Sequence, residues 1–256
     1  MTRLAPLCIA LVLGACTQAP PANPRVAQFA ALPNWSGIWV ADGLEPGIDG
    51  FSMARNPAFV VVNPAIPWNE ATKAKIQAEL ARNPELQVAP AEGWGYPLMM
   101  DGAPPLQFLI TPEETVIFNT YRDLRHVYTD GRAHPPAEDL WPTTWGNSIG
   151  RWDGDTLVID TIAVREPNKY FGIVAWLSDQ AHYTERLRMT APDRLDGEMT
   201  VEDPDTLSQP WVVKLDYKRA AGWDRLIHDS FDNNRTGFDG DYYTIERSKN
   251  APPPAQ

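Results

Sequence analysis

The stretch His182-Tyr183-Thr184-Glu185-Arg186-Leu187-Arg188 sets an imidazole, a carboxylate and two guanidinium groups side by side. An imidazole near a carboxylate is material for general acid–base catalysis. A guanidinium binds oxygen-rich ligands through paired, charge-assisted hydrogen bonds. On a strand, His182, Thr184, Arg186 and Arg188 share one face, and Tyr183, Glu185 and Leu187 share the other. Arg125 and Val127 divide in the same way from His126 and Tyr128. Buried charges need partners, so such groups either pair as a structural network or line a wet, ligand-binding pocket.

Three other patterns bear on chemistry. Gly146-Asn147-Ser148-Ile149-Gly150 matches the serine-hydrolase elbow Gly-x-Ser-x-Gly. That elbow needs a helix after the serine, whereas Arg151-Trp152-Asp153-Gly154-Asp155 reads as a hairpin. Ser148 is therefore expected to be a strand residue rather than a nucleophile. Asp232, Asn234, Thr236 and Gly237 imitate the start of a calcium loop, but its twelfth position is Tyr243 instead of a bidentate glutamate. The four histidines, at 126, 134, 182 and 228, show no local zinc spacing. No metal and no cofactor is expected. Tryptophans at 94, 141, 145, 152, 176, 211 and 223 are suited either to stacking on a flat ligand or to packing a core and its rim.

The N-terminus carries a different chemistry. Arg3, an apolar run over residues 4–13 and the ending Leu13-Gly14-Ala15-Cys16 form the layout of a secretory signal. The ending resembles a bacterial lipobox, whose cysteine is acylated and becomes the mature N-terminus. The apolar run is shorter than the ~20 residues of a spanning helix. We therefore expect a leader over 1–15, lipidation at Cys16, a Pro/Ala-rich tether over 16–33, one domain over 34–249 and a disordered tail over 250–256. Thr17, rather than aspartate, follows the cysteine, which points to the outer membrane, with the domain facing the periplasm. With Cys8 removed, the mature chain keeps a single thiol and no internal disulfide. It carries 21 basic against 33 acidic residues, a formal charge of −12 once Arg3 is gone. Such a surface repels phosphate backbones, so nucleic acid is not an expected partner. Contact with the membrane is expected through the anchor only.

The elements that must position these residues are mostly strands. Residues 35–40, 59–62, 106–110, 115–120 and 124–128 are short, β-branched or aromatic, and bounded by Pro, Gly or Asp. Hairpins are expected for 148–152 with 156–161 around Asp153-Gly154-Asp155, for 183–190 with 194–202, and for 211–218 with 225–231. One helix is expected over 69–82, capped by Asn69, with a weak apolar stripe at Ile76 and Leu80 that suits a surface or flap. Consecutive hairpins without intervening helices predict a mainly β fold. The expected form is an antiparallel meander making a barrel or strongly curved sheet, with a two-sheet sandwich as the alternative. In such a barrel we expect His182 and Arg186 to point inward. Arg125 and, from the loop after Tyr128, His134 join them. Arg125, His134 and Arg186 would bind ligand, and His182 would transfer protons.

A succession of motifs carries a resemblance. It runs from Phe108-Leu109-Ile110-Thr111-Pro112 through Arg125-His126-Val127-Tyr128-Thr129-Asp130-Gly131-Arg132 and His134-Pro135 to Trp145. It continues through Ser148-Ile149-Gly150-Arg151-Trp152-Asp153-Gly154-Asp155-Thr156-Leu157 to His182, Thr184-Glu185-Arg186 and Pro210-Trp211. The chain resembles, over roughly 34–235, a large group of exported proteobacterial and acidobacterial proteins. The resemblance implies a lipocalin-like β architecture and supplies no activity. Where related sequences often carry a cysteine, this chain has Ser230.

Three functions are compatible with these features. The first is a lipid-anchored barrel that binds a small apolar or aromatic molecule. The second is a cofactor-independent lyase, isomerase or hydrolase using a His/carboxylate pair in the same pocket. The third is a structural envelope lipoprotein.

Overall fold

A computed structural model describes residues 23–42, 66–82, 95–97, 99–100, 105–120, 123–165, 177–223, 225–226, 236–239 and 242–245. The leader with Cys16, the strand expected over 59–62, most of 225–231, Trp94, Trp176, His228, Asp232, Asn234 and the tail lie outside them.

The described chain is mainly β and closes into a nine-stranded barrel. Eight of its staves are β1 (Ile38–Ala41), β2 (Leu106–Ile110), β3 (Glu114–Asn119), β4 (Leu124–Tyr128), β5 (Asn147–Asp153), β6 (Thr156–Ile162), β7 (His182–Ala191) and β8 (Arg194–Glu202). The ninth is bent, and its two halves are β9 (Trp211–Lys214) and β10 (Tyr217–Arg219). β9 pairs with the distal part of β8. β10 pairs with β8 on one side and β1 on the other, which closes the ring. Closure pairs the edge strands that an open sheet would leave bare. β11 (Thr236–Asp239) and β12 (Tyr242–Ile245) form a separate hairpin.

Period-2 patterning explains most of the wall. In β3, Thr115, Ile117 and Asn119 are buried while Glu114, Val116 and Phe118 are partly exposed. In β7, Tyr183, Glu185 and Leu187 are buried and alternate with His182, Thr184, Arg186 and Arg188. The inward side chains form one cluster that includes Trp39, Phe108, Leu157, Ile159, Tyr183, Met199 and Tyr217. Gly197 fits where β8 passes β7, since a Cβ there would lie 2.4 Å from Leu187 Cδ2.

Three expectations are corrected. The barrel is not antiparallel throughout, because β4 and β5 pair in parallel, Val127 with Ser148 and Tyr128 with Ile149. A parallel neighbour requires the chain to return outside the sheet, and residues 129–146 make that return. The strand expected over 211–218 breaks at Leu215–Asp216, and its second half lies between β1 and β8 rather than in a hairpin with 225–231. Part of the expected tether is ordered: α1 (Pro24–Ala30) is capped by Asn23, whose Oδ1 accepts the Arg25 N–H at 3.0 Å. α1 docks on one end of the barrel. Asn23 Nδ2 donates to Glu113 Oε1 (2.9 Å), Arg25 Nη1 to the Asp130 carbonyl (2.9 Å) and Gln28 Nε2 to the Trp152 carbonyl (3.1 Å).

The second helix, α2 (Glu70–Arg82), begins where its sequence predicts, with Asn69 Oδ1 accepting the Thr72 N–H at 2.9 Å. Its start is tied to the opposite end of the barrel through the Asn69 N–H to Thr206 carbonyl bond and the Trp68–Leu207 bridge.

Candidate functional site

Two polar clusters lie on the two sides of the wall formed by β5, β6 and β7.

The inner cluster centres on Arg125, which is 1% exposed. β4 aims it inward. Its Nη2 donates to Glu185 Oε2 on β7 at 2.5 Å and to Thr161 Oγ1 on β6 at 2.7 Å, and its Nε donates to Ser148 Oγ on β5 at 3.0 Å. The guanidinium carbon lies 4.0 Å from the centre of the Tyr96 ring. That ring also packs T-shaped with Tyr183, centroids 4.9 Å apart. Burial disfavours the charged form of Arg125, but the charge and hydrogen bond of Glu185, together with Tyr96 and Tyr217, outweigh it, and the net shift is upward. Burial, then the charge of Glu185, pushes the Tyr96 phenol up, so it stays neutral. Among the described residues, Arg125 Nη1 and Glu185 Oε1 are buried with no hydrogen-bond partner. Burying a charge pair stabilises little unless the remaining donors and acceptors are used, so these two atoms are the open valences of the cluster.

The outer cluster is a chain of side chains across β5–β8. Asp160 on β6 receives two imidazoles: His134 Nε2 lies 2.9 Å from Oδ1, and His182 Nε2 lies 3.0 Å from Oδ2. His134 Nδ1 is 2.7 Å from Asn147 Oδ1, and His182 Nδ1 is 3.6 Å from Glu202 Oε2. His134 arrives on the returning segment 129–146, so the parallel β4–β5 pairing is what brings it here. Burial raises the Asp160 pKa, but the hydrogen bonds with His134 and His182 outweigh it and hold the carboxyl below its usual range. His182 and Asp160 are each 39% exposed, so the chain is open to solvent. A carboxylate that orients two imidazoles can stabilise a proton on either ring. No group of three or more His, Cys, Asp or Glu among the described residues is arranged to hold a metal ion.

The four expected site residues therefore separate. Arg125 points inward as expected. His182 and Arg186 do not: both lie on the outer face, and Glu185 takes the inward position instead. The reason is electrostatic. Burying one carboxylate against Arg125 costs less than burying His182, Arg186 and Arg188 together. His134 also stays outside, joined to His182 through Asp160. Arg186 stands apart, 3.5 Å from Asp153 Oδ2. Ser148 lies on a strand, and its Oγ is 2.9 Å from Thr161 Oγ1. Glu185 stood out in the sequence, but on the face read as outward; Asp160, Tyr96 and Asn147 were not among the expected site residues. Asp160 had a faint signal, as a lone charge interrupting the apolar run of β6.

An open groove of about 660 Å³, lined by residues that include Asn34, Met189, Pro192 and Arg219, lies at the α1 end and touches none of these side chains. No protein-family model, no curated protein and no solved structure gives a significant match to this chain.

Proposed function

We propose that this chain is an exported barrel, lipid-anchored at Cys16, that binds a small apolar or aromatic molecule in its interior. The reading is supported above all by the buried Arg125–Glu185 pair. It leaves one guanidinium nitrogen and one carboxylate oxygen unpaired beside aromatic rings. A few polar groups set in an apolar, aromatic wall are the usual composition of a small-molecule site. The test is native mass spectrometry of the purified full-length chain for retained molecules, followed by titration with a library of small aromatics. The expected result is a bound aromatic species that is weakened in Ser148→Ala, which removes an acceptor from the Arg125 Nε without disturbing the ion pair. Failure of the folded protein to take up any member overturns the reading.

A second reading, an acid–base enzyme without a cofactor, is supported by the two imidazoles within 3.0 Å of Asp160. Its chemistry would take place on the outer wall. Incubation with an envelope metabolite extract should then deplete a compound that His182→Ala leaves intact. Equal depletion by both proteins overturns this reading.

A further inference from the structure

Residues 95–97 and 99–100 enter the barrel at the end that carries Asp123. Tyr96, Met99 and Met100 are each at most 1% exposed. The segment belongs to no strand. It is held by the Gly95 N–H on Asp123 Oδ1 (3.1 Å), the Tyr96 N–H on the Thr144 carbonyl (3.0 Å) and the Tyr217 hydroxyl on the Met100 carbonyl. Gly95 has φ +68°, a left-handed turn that glycine adopts without strain.

The Tyr96 ring is what the segment delivers. It lies against the Arg125 guanidinium and packs T-shaped with Tyr183, and its hydroxyl is 3.4 Å from Met199 Sδ. Arg125, Tyr183, Glu185 and Met199 all belong to barrel strands, and each points inward by strand alternation. The strands thus build a site complementary to a phenol: a cation for the π face, a T-shaped aromatic neighbour, and a sulfur acceptor beside the hydroxyl. A segment outside the strands fills it.

We propose that Tyr96 is the resident occupant of the ligand site, and that the barrel takes hydroxylated aromatic molecules, which enter by displacing the Tyr96 side chain from Arg125. The proposal rests on the reading of the barrel as a small-molecule binder. It makes Tyr96 an internal competitor, so the affinity of the intact chain is lowered by the fraction of molecules in which Tyr96 is seated.

The test compares phenol binding to full-length wild type and Tyr96→Ala by isothermal titration. Phenol is expected to bind the variant at least about tenfold more tightly than wild type. Cyclohexanol has similar size but no π face, and is expected to bind the variant at least about tenfold more weakly than phenol. Equal phenol binding by the two proteins, or equal binding of phenol and cyclohexanol by the variant, overturns the proposal. Where Tyr96→Ala does not fold, hydrogen exchange on wild type decides. Saturating phenol should speed exchange of the Gly95 and Tyr96 amides, and unchanged or slower exchange overturns the proposal. If wild type binds an aromatic while those amides keep their protection, the displacement falls and the small-molecule reading stands. If neither protein binds any aromatic, both fall.

Discussion

Glu185 and Asp160 occupy neighbouring strands and face opposite ways, Glu185 holding the Arg125 guanidinium inside and Asp160 the His134 and His182 imidazoles outside. For the inner pair, removing one partner leaves a buried, uncompensated charge. Arg125→Met alone is expected to cost about 3–5 kcal/mol in urea denaturation. Arg125→Met combined with Glu185→Leu should cost less than the two single changes added together, because the apolar pair needs no partner. A double variant as unstable as that sum would mean that the two side chains do not act as a unit. For the outer carboxylate the sign follows from its depressed pKa. It contributes stability that is complete above the unfolded-state value and lost as pH falls through the lower folded-state value. The stability gap between wild type and Asp160→Asn should therefore narrow as pH falls below 3.8, the ordinary aspartate value. A gap that widens in acid would contradict the assignment. Arg125 was legible in the sequence because its neighbour two residues on, Val127, marks an inward face. The orientation of β7 was legible too, in the apolar Tyr183 and Leu187, but three basic or imidazole side chains on the opposite face drew attention away from them.

Strands with clean alternation, β3 and β7 to β8, could be placed from sequence to within a residue or two. β6 hid its sidedness, because Val158 on the outer face is buried as well. The parallel β4–β5 pair was not legible at all. Registry between strands separated by a long return depends on contacts that no local pattern encodes. The same holds for His134, whose partner lies on β6. The end of the return segment is also closely packed. Gly146 has φ +68°, and a Cβ there would lie 2.8 Å from the Ile162 carbonyl oxygen. Gly154, in the β5–β6 hairpin, has φ +63° with nothing within 4 Å. Left-handed backbone costs a non-glycine residue about 1–2 kcal/mol by itself. Gly154→Ala should lose about that much, and Gly146→Ala clearly more, as read from denaturation midpoints at unchanged slope. Equal losses at the two sites would show that the close contact is relieved without cost.

At the scale of the whole chain, the proposed anchor would hold the barrel at a membrane. No helix among the described residues is long and apolar enough to cross a bilayer. Cys16→Ser is expected to move the protein from the membrane to the soluble envelope fraction and to abolish lipid labelling. Unchanged retention, with no lipid mass on the wild type, would remove the anchor from the account. The docking of α1 adds a direction. Only six residues lie between Cys16 and the helix cap at Asn23, a reach of about 25 Å when fully extended. α1 sits at the end bearing Glu113 and Asp130, whereas Tyr96 is inserted at the opposite end, which bears Asp123. A barrel tethered at its α1 end would offer the Tyr96 end to the aqueous compartment. Its cargo would then be collected from solution rather than drawn out of the bilayer.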